Sequence, residues 1–359
     1  MTHLVIGGGI MGLLTAYYLT AADEKVMVLE QGALGQESSW AGGGILSPLY
    51  PWRNPEPLNE LARWSQHHYA DLVEELKAAS GIDAEWRPCG FLILDPEEIE
   101  SALAWAKLHG TRAETIGRDA MRHHAPNLSP DILPPQAIWL PDIAQVRNPR
   151  LLKALIATLR QQGVELREHT PVSELVITND QVTGVRCGDQ ELPASTVTVA
   201  CGAWSRQLLQ NVAPQLFVEP VRGQMLLFRA DPELLTTMVM QHARYLIPRL
   251  DGRIIAGSTL EHVGFDKHTT GQARNELATF ATTLLPALAD VPIEHHWSGL
   301  RPGIQKQVPV ISEHPSIRGL FVNTGHFRNG VVTAPASCKL CTDLLLNKPT
   351  ILDHTAFSL

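Results

Sequence analysis

A chain of 359 residues that is 44% apolar and 18% charged carries the material for a large buried core, which excludes disorder as its main state. Its 29 Lys and Arg against 37 Asp and Glu give a formal charge of −8, so no basic field is available to concentrate nucleic acid. Five cysteines are too few for a disulfide framework at this length and odd in number, which points to a reducing, cytoplasmic setting.

The uncharged run Leu4 to Leu19 is too short for a comfortable bilayer span, has no basic segment ahead of it and is broken by Gly7-Gly8-Gly9, so it reads as soluble text and not as an anchor. His3 to Ile6 predicts a strand, Leu13 to Ala22 a helix, and Lys25 to Glu30 a second buried strand ending in an acid. Between the first strand and the helix stands Gly7-x-Gly9-x-x-Gly12. The first glycine permits a tight turn, the second lets backbone approach a pyrophosphate, and the third allows close helix packing. Glu30 follows at the distance where a carboxylate accepts hydrogen bonds from both ribose hydroxyls and repels a 2'-phosphate. NADP is thereby disfavoured, and FAD and NAD remain. The second small-residue loop, Glu37 to Ile45, suits the longer FAD, whose pyrophosphate and ring both need backbone donors at close range.

From about 51 to 145 the chain is Pro-rich, with helices predicted over Glu56–Ser80 and Pro96–His109. Strands follow at Val164–Glu168, at Val172–Val176 and Gly184–Cys187 as a hairpin, and at Thr196–Ala200. Further strands are predicted at Glu219–Arg229, Tyr245–Arg249 and Arg253–Gly257, the last two joined at Asp251-Gly252. Gly319–Asn323 gives a final strand, and a helix is expected from about Pro335 to Leu346. In that helix Cys338 and Cys341 read as packed thiols, and the paired histidines elsewhere lack metal spacing, so no metal is expected. The fold class is an α/β FAD-binding domain, Rossmann-like with a parallel sheet, made of 1–50, 146–215 and 300–359. Residues 51–145 and 216–299 form an inserted α+β substrate domain on an antiparallel sheet.

Gly7 to Gly12 with Glu30, Ser38 to Gly43, Ala200 to Ser205, Trp297 to Gly303 and Gly325 to Gly330 together resemble the motif set of the FAD-dependent D-amino-acid oxidase superfamily, nearest to its glycine oxidase branch, which is associated with thiamine biosynthesis. The resemblance covers residues 3 to about 346. It implies oxidative deamination of glycine and other small amines by molecular oxygen, with hydride transfer to flavin N5 and release of an oxo acid, ammonia and hydrogen peroxide, and commonly a homotetramer. It places Ile10, Met11, Glu30, Gln31, Ser38, Ser39, Gly43, Gly44, Ile45 and Val172 against the cofactor, beside Gly7, Gly9 and Gly12. The run His326, Phe327, Arg328, Asn329, Gly330, Val331 and Val332 lies along the flavin. Arg301 and Arg328 correspond to substrate-contacting arginines and Tyr245 to a tyrosine that helps hold the carboxylate, while the chemistry belongs to the flavin and needs no side-chain base. Ile45 and Leu260 are candidate pocket walls. The cysteine context of flavin-tethering sarcosine oxidases is missing, so noncovalent FAD is expected. The segment Gly303–Ser312 lacks the acidic-Gly pair usual in relatives. A D-amino-acid or sarcosine oxidase or dehydrogenase of the same fold, and a flavin-binding scaffold without amine chemistry, are the alternative readings.

Overall fold

Thr2–Ile6 (β1) and Lys25–Leu29 (β2) pair in parallel and flank Ile10–Thr20 (α1), the predicted βαβ start. The computed structural model, which describes residues 2–359, extends this unit into a six-stranded sheet. Its order is Val310–Glu313, Leu320–Thr324, Thr196–Val199, β1, β2 and Glu165–Arg167, parallel except for the first strand. The atypical Gly303–Ser312 segment thus ends in an ordinary antiparallel edge strand. α1 is apolar all round because it is covered all round: Leu13, Leu14, Ala16 and Leu19 are fully buried between the sheet and the helices Glu56–Ser80, Asn148–Gln161 and Gly330–Leu345. Gly12 sits where any Cβ would overlap the Gly7 carbonyl, so α1 packs directly on the turn that precedes it.

The second sheet has eight strands in the order Ile293–Ile304, Val218–Arg229, Arg253–Gly257, Arg244–Pro248, Met238–Gln241, Phe91–Ile93, Gln136–Leu140 and Glu114–Gly117. All neighbours are antiparallel but one. Met238–Gln241 runs parallel to Phe91–Ile93, and this pair stitches the two insertions into one sheet. Ile293–Ile304 stays paired with Val218–Arg229 through its last residue, so the division placed at 299/300 falls inside a strand.

Three local expectations shift. The strand read at Val172–Val176 lies at Glu174–Thr178 and joins Gln181–Cys187 and Gln190–Pro193 in a three-stranded antiparallel sheet. The Pro96–His109 helix is a 3₁₀ turn at Pro96–Glu98 followed by α-helix from Ile99. The last helix starts at Gly330, five residues before the expected Pro335. A proline inside a helix frees the carbonyl four residues back. That carbonyl belongs to Val331, and the buried Tyr69 hydroxyl donates to it, which is why the helix continues through Pro335. Cys338 and Cys341 are fully buried in this helix, and all five cysteines are free thiols. No helix among the described residues is long and apolar enough to cross a membrane.

Tyr69→Phe removes the donor and leaves a buried carbonyl unsatisfied. It is expected to destabilise the protein by about 1–3 kcal/mol in urea unfolding, and an unchanged midpoint would show that Pro335 is accommodated in some other way.

Candidate active site

A cavity of about 420 Å³ runs from Gly7, Gly9 and Glu30 at the end of the parallel sheet to Tyr245, Arg301 and Arg328 beside the second sheet. At the first end α1 opens on Gly9, which has no side chain to cap it; the Ile10 amide donates instead to Ser39 Oγ at 2.9 Å. Orphan first-turn amides make this helix end a place for an anion. Glu30 is oriented by the Gly8 and Gly32 amides, which donate to Oε2 and Oε1 at 2.7 and 2.9 Å. Two donors leave part of the carboxylate's four-site acceptor capacity for hydroxyls in the cavity. Cys201 borders the same end, its thiol pushed up to about 12 by burial and then by the charge of Glu30, so it is neutral there.

In the middle, the loop Gly42–Ile45 passes close to other backbone. Gly44 has φ +78°, and a Cβ on it would overlap the Val146 carbonyl. Arg249 fixes this loop from behind: its Nη2 donates to the Gly43 carbonyl at 2.7 Å and its Nη1 to Gln145 Oε1 and the Val146 carbonyl at 2.6 and 3.0 Å. Arg249 is 5% exposed and hydrogen-bonds only neutral acceptors, and burial pulls its pKa down to about 10, with Arg147 adding to the fall.

At the far end Arg301 lies across the backbone of Gly223, where any Cβ would overlap the guanidinium. Of its five N–H donors two are engaged, Nη1 with the Thr259 carbonyl at 3.2 Å and Nη2 with Ser258 Oγ at 2.8 Å. Arg301 borders the cavity and is otherwise enclosed. Burial pulls its pKa down to about 10, Arg328 lowers it further, and Tyr245 opposes the fall. Arg328 Nη2 donates to the Ala243 carbonyl at 3.3 Å. Among the described residues neither guanidinium pairs with a carboxylate.

Of the residues singled out in the sequence, the cavity gathers Gly7, Gly9, Ile10, Met11, Glu30, Gln31, Ser38, Ser39, Gly43, Gly44, Ile45, Val172, Tyr245, Arg301 and the run His326 to Val331. Gly12 and Val332 do not border it: the first packs under Gly7, the second is buried within Gly330–Leu345. Of the two wall candidates Ile45 lines the cavity, whereas Leu260 does not and is 48% exposed. Sequence reading passed over Gly223, Ser258 and Arg249 in any site role, and also Asn148, whose Nδ2 donates to the carbonyl of the cavity-lining Ser39 at 2.9 Å. Gly223 left one signal, a glycine inside a long strand, which marks close approach by another group.

Residues 3–344 match the FAD dependent oxidoreductase family. The chain belongs to that family. It is 45% identical to the glycine oxidase of Pseudomonas putida over 99% of this chain and 97% of that protein. It is 32% identical to the bifunctional protein ThiO/ThiG of Synechocystis, matching over 96% of this chain and 51% of that protein. The solved structure of glycine oxidase from Geobacillus kaustophilus superposes with a TM-score of 0.94 at 29% identity, covering 99% of this chain and 97% of that one.

FAD is the cofactor, and the site fits it on its own chemistry. The open first-turn amides of α1 suit its pyrophosphate and the remaining acceptor capacity of Glu30 its ribose, and Asn323 and His326, which border the cavity, each keep a buried polar atom, Oδ1 and Nε2, without a protein partner. Burial holds His326 down to about 3, so it is neutral at working pH and offers one donor and one acceptor rather than a charge. Cys338, fully buried with its Sγ donating to the Met11 carbonyl at 3.2 Å, does not border the cavity.

Arg249→Met keeps the bulk and removes three hydrogen bonds from the Gly42–Ile45 loop and its neighbours. Reconstitution of the apoprotein, followed by quenching of flavin fluorescence, should show FAD binding weakened by about tenfold or more, a loss of about 1.4 kcal/mol. Wild-type affinity in this variant would mean that the loop holds its shape without the guanidinium.

Proposed function

We propose that this protein is an oxidase that deaminates glycine, and small amines such as sarcosine and small D-amino acids, to an oxo acid, ammonia and hydrogen peroxide. The carrying observation is the unpaired positive charge of Arg301 and Arg328 at one end of an FAD cavity. Buried charge without a counter-ion is costly, and a substrate carboxylate supplies the missing partner. The glycine oxidase relatives support the choice of substrate.

In this reading Glu30 and the α1 amides hold the ribose and pyrophosphate, and Gly43 to Ile45 with His326 to Val331 bound the ring. When bound, FAD accepts two electrons and a hydrogen from the substrate Cα and passes the electrons to oxygen. The protein's share is placement. Arg301 offers its free donors as a planar fork that fixes a carboxylate in orientation as well as position. Arg328 adds a second positive group and Tyr245 one hydroxyl, so the Cα–H bond is held at a distance from the ring where transfer is favoured. The two guanidiniums disfavour a third positive charge nearby, which lowers the ammonium pKa of a bound zwitterion and releases its proton to solvent. A neutral amine has the lone pair that assists hydride departure, so flavin reduction should quicken as pH rises. FAD is held noncovalently, with Cys338 packed away from the cavity.

The same reading divides the chain into an FAD domain of 1–50, 146–215 and 300–359 and a substrate domain of 51–145 and 216–299, with 300–304 shared through the long strand. It makes the enzyme a cytoplasmic homotetramer, the compartment supported by five free thiols. It also places its product in thiamine thiazole synthesis, supported by the relative that carries a ThiO and a ThiG part in one chain.

Arg301→Ala should lose roughly 2–5 kcal/mol of carboxylate recognition while FAD absorbance is retained. Tyr245→Phe should lose about 0.5–1.5 kcal/mol. Both are read from the KM for glycine and the Kd of a competing carboxylate, and an unchanged KM in Arg301→Ala would remove Arg301 from the site.

A further inference from the structure

The only protein partner of the Arg328 guanidinium among the described residues is the Ala243 carbonyl, and that carbonyl sits on an unusual turn. Met238–Gln241 and Arg244–Pro248 form a hairpin joined by His242 and Ala243, with φ of +49° and +61°. Two left-handed residues in succession make the tight hairpin turn that sequences normally build from Asn-Gly or Gly-Gly. Neither residue here is glycine, so the turn needs support from outside its own chain segment.

That support comes from a buried pair. Asp95, 1% exposed, accepts from the His242 amide at 2.9 Å to Oδ1 and 3.2 Å to Oδ2. Tyr50 accepts from the Ala243 amide at 2.9 Å and donates to Asp95 Oδ2 at 2.7 Å. Both amides of the strained turn are therefore held, and the hydroxyl between them is fixed in role because Asp95 takes its proton. Burial, then the Asp95 bond, holds the phenol well above its usual range, so it stays protonated. The Glu97 and His242 side chains also approach Asp95. Both Asp95 oxygens accept protein donors from the turn and its support, which makes the group a clamp on the turn.

We propose that Tyr50 and Asp95 are positioning residues for the substrate carboxylate: they hold the His242–Ala243 turn so that its Ala243 carbonyl aims Arg328 into the cavity. Neither residue is among those lining the cavity, so they act through Arg328 and touch no substrate. The inference rests on the reading of Arg328 as a substrate contact.

The test is a double-mutant cycle in the FAD-loaded enzyme, reading KM and kcat for glycine and the Kd of a competing carboxylate. Tyr50→Phe should raise KM about 5- to 20-fold with kcat changed less than about threefold and FAD affinity unchanged. Added to Arg328→Ala, the same change should shift KM by less than about twofold, whereas added to Arg301→Lys it should keep its full effect. Should Tyr50→Phe fail to retain FAD, Asp95→Asn carries the same cycle. An unchanged KM in the single variant, or an equal effect with and without Arg328, overturns the inference. Arg328→Ala with wild-type KM would instead refute the reading of Arg328 on which it rests.

Discussion

Two guanidiniums share one end of a cavity whose carboxylates, Glu30 and Glu37, are engaged elsewhere with the Gly8 and Gly32 amides and with Lys267, and much of the surrounding structure exists to make that arrangement tolerable. Burial pulls Arg301 down to about 10, and the neighbouring Arg328 charge pulls it further. The protein answers with neutral acceptors only: the Thr259 carbonyl, Ser258 Oγ and the Ala243 carbonyl. These bonds orient charge without cancelling it. A pocket left positive in this way is preorganised for an anion and gains little from a neutral ligand.

Glycine makes the geometry possible on both sides of the cavity. Gly223 lets Arg301 lie flat on a strand. A Cβ on Gly257 would overlap the Tyr245 ring and one on Gly43 would overlap Ile247, so this wall of the cavity has its shape set by two absent side chains. Arg249 extends the same logic, a second buried guanidinium that holds backbone instead of ligand. Fold and site therefore meet at the same few residues, where the long strand carrying Arg301 passes the loop that follows β2, Gly299 against Ala41.

What the sequence made legible was local or came as a pattern. Gly7 to Gly12 with Glu30 spells its turn, helix and acid in one short stretch, and the structure keeps that order. Arg301, Arg328 and Tyr245 stand far apart in sequence and gained meaning only from the resemblance to a known motif set; no periodicity brings them together. Pro335 misled because proline normally marks a helix start, and the Tyr69 hydroxyl that rescues the freed carbonyl comes from a helix far away in sequence. Gly223, Ser258, Asn148, Arg249, Tyr50 and Asp95 went unread for a shared reason: each acts through a contact with residues distant in sequence, which composition and spacing do not encode.

The most direct test of the account mixes the holoenzyme with glycine in the absence of oxygen and follows the oxidised flavin band. A cation-lined pocket that seats a small amino acid against the cofactor predicts loss of that band, and peroxide in equal amount when oxygen is returned. A band that persists with glycine, sarcosine and D-alanine alike would contradict it.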